Sequence, residues 1–185
     1  MIGVQDLRKG ATFIEDNDLW RVMEYAHIKT GRGNATIRVK VRNLRSGGTM
    51  EKTYPSGGRV QDIRLDHATV QYLYHDGDLY FFMNTETYEQ PAIDAKILGE
   101  SVYYLSDGMS LELETYEGEP ITIDLPTTVD LKVVQTDPGY AGDTATNATK
   151  PAVVSTGLQV NVPLFVETGN VIRIDTRTGA YLTRV

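Results

Sequence analysis

No cysteine occurs in the 185 residues, which removes disulfides, thiolate metal ligands and a thiol nucleophile at once. Long apolar runs are missing too: nothing approaches the roughly 18 consecutive residues that a membrane-spanning helix requires. The opening MIGVQDLRKG has no basic segment followed by an apolar one, so a secretory leader is not expected and a cytoplasmic protein without a membrane partner is. No Gly-rich loop runs into Lys-Ser or Lys-Thr, which leaves nucleotide hydrolysis without a phosphate cradle. The three histidines, His27, His67 and His75, are far apart in sequence and show no metal-ligand spacing. Glu112, Glu114, Glu117 and Glu119 lie in an acidic block without a basic or electrophilic companion and read as a solvated face. The expectation is therefore no catalytic residue, no metal and no cofactor.

What is present is a chain of small modules. A hydrophobic share of 41% suffices for ordinary cores, and 17 glycines with 7 prolines scattered throughout favour several compact units over one helical bundle. Charge is distributed in blocks. Residues 1–63 hold 11 Lys+Arg against 7 Asp+Glu, residues 64–126 hold 2 against 13, and residues 127–185 hold 5 against 5. The net charge of −7 argues against indiscriminate nucleic-acid binding, which draws on Lys and Arg to neutralise phosphates. Blocks of opposite sign suggest modules that face different partners; a charged surface kept for solubility is the blander alternative.

Strand signals dominate. Residues 11–15 and 19–25 flank the turn Asp16-Asn17-Asp18, and residues 36–44 precede Ser46-Gly47-Gly48 and a further strand at 49–54, a meander of hairpins. QYLY and LYFFM enclose His75-Asp76-Gly77-Asp78, where Asp-Gly marks a tight hairpin. VIRIDT and AYLTRV around Arg177-Thr178-Gly179 predict a paired strand at the end of the chain. The one modest helix candidate is 93–98, and 137–151 reads as a long loop. Charge shifts and strand restarts place boundaries near residue 63 and at Leu125-Pro126-Thr127, giving units 1–63, 64–126 and 127–185, each the size of a small closed barrel.

The most informative local feature is Lys29-Thr30-Gly31-Arg32-Gly33-Asn34, one arginine between two glycines at a hairpin tip. Glycine on both sides permits positive φ and clears space around Arg32. In the following strand Ile37, Val39 and Val41 share one face and Arg38, Lys40 and Arg42 the other. With Lys29, Arg32 and Arg45, six basic residues fall between Glu24 and Glu51 without a carboxylate. A basic edge leading to a basic tip suits a nucleic-acid backbone; a solvated turn and strand face are the alternatives.

In their order, KTGRG with MEKTYPSG, then YLYHDGDLYFFMNTETYEQ, then KPAVVSTGLQVNVPLFVETG and the ending IDTRTGAYLTRV resemble elongation factor P over essentially the whole chain. The resemblance implies an all-β protein of three small β-barrel domains, an SH3-like (KOW-like) domain over 1–63 and OB-type barrels over 64–126 and 127–185, in an L-shaped arrangement like transfer RNA. It further implies a non-enzymatic monomer that binds the 70S ribosome and its ribosomal RNA between the peptidyl and exit sites. There such a factor would steady the peptidyl-site tRNA and stimulate peptide-bond formation at consecutive prolines. Carried over by position, Arg32 is the tip that contacts the tRNA near the peptidyl-transferase centre and is open to modification by a dedicated enzyme, framed by Gly31 and Gly33 and supported by Lys29. Gly142, Asp143 and Thr144 match a loop near the exit-site codon, and Tyr181 and Arg184 match contacts to the small subunit and tRNA. Arg32 stands where many members have Lys, and Thr30 where many have Pro. The alternatives are the elongation-factor-P-like paralogue and a stand-alone OB module binding single-stranded nucleic acid.

Overall fold

The protein is described by a computed structural model covering residues 1–139 and 148–185. Three antiparallel sheets follow one another along the chain. The first contains β1 (Ile2–Gly3), β2 (Thr12–Glu15), β3 (Asp18–Ile28), β4 (Thr36–Asn43), β5 (Thr49–Pro55) and β6 (Arg59–Asp62) in the order β1-β6-β2-β3-β4-β5. The second contains β7 (Asp66–Asp76), β8 (Leu79–Asn84), β9 (Ala92–Asp94), β10 (Ser110–Tyr116) and β11 (Glu119–Asp124) in the order β11-β10-β7-β8-β9. The third contains β12 (Thr128–Thr136), β13 (Thr149–Val154), β14 (Gln159–Pro163), β15 (Val171–Asp175) and β16 (Tyr181–Arg184) in the order β14-β13-β12-β15-β16. The second sheet curls until β11 meets β9, and the third until β14 meets β16. The all-β reading holds.

Alternation explains the local choices. Along β4, Ile37, Val39 and Val41 are fully buried while Arg38 and Lys40 are exposed, the period of two expected of a half-buried strand. Asp16 and Asn17 take φ of 52° and 67°, the left-handed pair that lets a two-residue turn match the twist of β2 and β3. The Asp-Gly hairpin closes as expected, with β7 ending at Asp76 and β8 beginning at Leu79. The helix candidate at 93–98 appears as α1 (Ala95–Leu98), whose first turn is capped by Asp94 accepting from the Lys96 amide at 2.8 Å. It continues as a 3-10 turn over Gly99–Tyr104 that the sequence reading missed, because GESVYY lacks helical periodicity. The expected loop 137–151 is shorter at its far end: Thr149, Lys150 and Pro151 pair with β14, opposite Pro163, Val162 and Asn161.

Each sheet encloses its own apolar cluster, built on Phe13, Trp20 and Val39 in the first, Tyr72, Phe82 and Leu113 in the second, and Val133, Val162 and Ile172 in the third. A fourth cluster is shared. Leu19 and Leu44 from the first sheet bury against Ile121 of the second, with Ile63 and Leu65 of the connecting segment packed on them. At the second junction Tyr104, from the 3-10 turn after α1, enters the apolar cluster of the third sheet, and Thr156 Oγ1 donates to the Tyr103 carbonyl at 2.5 Å. Burial raises the Tyr104 phenol above its ordinary pKa.

Gly47, expected only as a turn residue, is where the first sheet touches α1. Its φ is +78°, and a Cβ there would collide with the Lys96 carbonyl. Both constraints exclude a side chain. Gly47→Ala is expected to lower stability by about 1–3 kcal/mol, while Gly57→Ala, at a site with open space around it, should change it far less; denaturant midpoints of the two variants compare them directly.

Candidate nucleic-acid interface

The strands β3 and β4 form a ribbon with two distinct ends. At one end β3 stops at Ile28 opposite Thr36, and Lys29 to Ala35 cross over as the tip. The turn is closed by the Gly33 amide donating to the Thr30 carbonyl at 3.2 Å. Neither Gly31 nor Gly33 has positive φ, so the expected use of glycine for left-handed backbone is corrected here. The turn needs small residues for space instead. A Cβ on Gly33 would lie 2.7 Å from Thr30 Oγ1, whereas Gly31 has nothing within 4 Å and leaves the surroundings of Arg32 open. Lys29 and Arg32 are both exposed, and neither joins an ion pair among the described residues.

The basic edge divides in two. Arg38 is exposed beside the tip, and Lys40 lies 3.8 Å from Glu24, a loose surface pair worth little. Arg42 and Arg45, expected on the same free edge, turn to the second barrel: Arg42 Nη2 donates to the Ile97 carbonyl at 2.9 Å, and Arg45 Nη2 meets Glu119 Oε2 at 3.1 Å. The cationic surface available to a polyanion is thus Lys29, Arg32 and Arg38, not the whole strand.

The other end of the ribbon is the anchorage. Arg21 Nη2 on β3 contacts Glu114 Oε2 on β10 at 2.6 Å, the side chains being 25% and 10% exposed. Glu114 therefore does not belong to a solvated acidic face as expected; it is buried because the first barrel covers it. The register of the second sheet itself brings His67, Glu114 and Asp124 within 4.8 Å of one another on three adjacent strands, although their sequence spacing carries no metal signature. The guanidinium of Arg21 already neutralises Glu114 there and competes with any cation. This anchorage was hidden from sequence reading because Arg21 and Glu114 are 93 residues apart and Glu114 follows the same outward alternation as Glu112.

In the third barrel Tyr181 is half-buried against the core, and the Arg184 guanidinium lies 5.2 Å from the centroid of Phe165. The turn before them is stiffened by Asp175, which accepts from the Arg177 amide at 2.8 Å and from its guanidinium at 2.9 Å, and these bonds hold the Asp175 carboxyl below the usual range. Gly142, Asp143 and Thr144 lie outside the described residues, so the structure brings together Lys29, Gly31, Arg32 and Gly33 at one tip and Tyr181 with Arg184 on the last strand.

Three family models match in sequence order: the elongation factor P KOW-like domain over residues 3–60, its OB domain over 65–123 and its C-terminal domain over 129–184. Among curated proteins, the elongation factor P of Moorella thermoacetica is 48% identical over 184 residues, covering 100% of each chain. Among solved structures, the eukaryotic translation initiation factor 5A from Methanococcus jannaschii superposes with a TM-score of 0.53 at 22% identity, over 66% of this chain and 90% of that one, a likeness of fold. The family models and the curated relative make this a translation factor, not an enzyme. The chain belongs to the elongation factor P family. No helix among the described residues is long and apolar enough to cross a membrane.

Glu114→Gln is expected to weaken the joint between the first two barrels by about 1–2 kcal/mol, since it leaves a partly buried guanidinium without its counter-charge. Glu86→Gln, on an exposed turn, should stay within about 0.5 kcal/mol. Urea titration followed by the fluorescence of the single Trp20, which lies in the first barrel, reads the difference.

Proposed function

We propose that this elongation factor binds the 70S ribosome between the peptidyl and exit sites and places Arg32 against the acceptor end of the peptidyl-site tRNA, relieving stalls at consecutive prolines. The observation that carries the reading is the tip itself: an exposed arginine, in no ion pair among the described residues, on a ribbon whose opposite end is clamped to a second barrel. From Arg21 to Ile28 the ribbon spans about 23 Å at roughly 3.3 Å per residue, enough to carry a cation well beyond the barrel that holds it. Proline locks its own φ and constrains the attacking amine, so geometry is what a helper must restore. Lys29 and Arg38 would grip backbone phosphates near the tip, with ribosomal RNA as the surrounding polyanion.

Domain limits of 1–63, 64–126 and 127–185 and a monomeric, L-shaped, tRNA-like particle are part of the same reading; an apolar cluster within each sheet and the short junctions at Ile63–Leu65 and Leu125–Thr127 support the limits. In it, Gly142, Asp143 and Thr144 lie near the exit-site codon, and Tyr181 and Arg184 face the small subunit and tRNA. The acidic middle barrel serves as spacer between two nucleic-acid contacts.

Arg32→Ala is expected to leave the denaturation midpoint within about 0.5 kcal/mol of the parent, because an exposed tip side chain adds little to a core. Synthesis through a proline run by purified ribosomes should fall to the level without factor. Rescue at the parental rate would remove Arg32 from this role.

Arg32 also sets what a tip-modifying enzyme can attach. A guanidinium stays protonated and delocalised, so it has no free amine for the aminoacyl extension used on lysine tips. A glycosyl transfer to a guanidinium nitrogen remains open to it, and mass spectrometry of the tip peptide from native-host protein is expected to show either the bare mass or a deoxyhexose increment. An aminoacyl increment on Arg32 would contradict this.

A further inference from the structure

The second barrel holds 13 acidic and 2 basic residues between positions 64 and 126. On its β7–β8 hairpin Tyr74 and Phe81 pair across the strands, ring centroids 4.8 Å apart and planes inclined by 20°. Two residues further along each strand, Asp76 pairs with Leu79, and strand alternation places these four side chains on one face. Tyr74 is 52% exposed and Leu79 44% exposed. Asp78 completes the turn, and Asp94 on β9 lies opposite Leu79, with one carboxylate oxygen already accepting from the Lys96 amide. The face is thus an aromatic stack beside a row of carboxylates.

Elsewhere the chain covers rings with its own cations: Arg8 lies over Tyr25, Lys52 over Trp20 and Arg184 over Phe165. All three pairs are in the first and third barrels; among the described residues no cation covers a ring of the second. Nor does any ion pair among them engage Asp76, Asp78 or Asp94. We propose that this face is a docking surface for an arginine-bearing segment of a partner polypeptide. A guanidinium is planar and weakly hydrated, so it stacks on Tyr74 while its edge donors reach the carboxylates of Asp76 and Asp78. Lysine offers the charge without the plane. A phosphate backbone is repelled by the same carboxylates. The surface is on a different barrel from Arg32, and its test does not depend on the tip.

The test is an amide-shift titration of the isotopically labelled full chain with octaarginine, octalysine and octauridylate. Octaarginine is expected to move the β7–β8 amides most and to bind at least threefold more tightly than octalysine. Tyr74→Ala and, separately, Asp76→Asn with Asp78→Asn should each weaken octaarginine about fivefold, and each variant's own spectrum verifies its fold. The proposal is overturned if the shifts map elsewhere, if Tyr74→Ala binds as tightly as the parent, if the two peptides bind equally, or if octauridylate takes the same face. Concentration-dependent broadening of that face without any peptide would assign it to a second copy of the chain and overturn the proposal equally.

Discussion

The contact between Arg21 and Glu114 governs what the rest of the molecule can do. It joins the root of the β3–β4 ribbon to the second barrel inside a partly dehydrated crevice, backed by Leu19, Leu44 and Ile121. The apolar residues supply most of the adhesion, since burial of three aliphatic side chains is worth roughly 1.5–3 kcal/mol each relative to exposure. The ion pair adds direction. A guanidinium and a carboxylate have preferred angles as well as distances, and once buried the pair resists separation because each group left alone lacks solvent. Arg42 on the Ile97 carbonyl and Gly47 against α1 extend the same joint. Four features spaced along one edge of the first barrel leave it little freedom to swing.

How far the amino-acid sequence discloses this depends on the range over which each constraint acts. Local constraints were legible: the turn at Asp16 and Asn17, the Asp-Gly turn after β7, the alternation that buries Ile37, Val39 and Val41, and the exposed arginine at the tip. Long-range ones were not. Glu114 sits among acidic neighbours and looks solvated until the first barrel is packed upon it, and Arg42 and Arg45 look like part of a free cationic edge until their partners appear at Ile97 and Glu119. The glycines beside Arg32 were read for backbone freedom when Gly33 serves proximity to Thr30. For Glu114, Arg42 and Arg45 the residue type was informative and its partner, far away in the chain, was not.

The two junctions differ in kind. Between the first and second barrels the contact combines apolar packing with three charged or polar bridges. Between the second and third, Tyr104 crosses into the neighbouring core, Met109 and Leu125 pack on both clusters, and Thr156 donates one neutral hydrogen bond to the Tyr103 carbonyl. Apolar packing with one neutral hydrogen bond gives adhesion with less angular definition than paired charges do, so the stiffer joint is the one nearer the tip.

A ribbon fixed at its root behaves as a pointer, and pointers magnify error. With an arm of about 23 Å, a rotation of about 5° at the Arg21 joint carries the far end through roughly 2 Å, a displacement beyond the tolerance of about 1 Å within which reacting groups stay productively aligned. If Arg32 acts at the peptidyl-site tRNA as proposed, the tolerance required there is transferred to residues of the joint, Arg21 and Glu114. Selection acting on aim would be felt at Arg21, Gly47 and Glu114 before it was felt anywhere else in the two barrels.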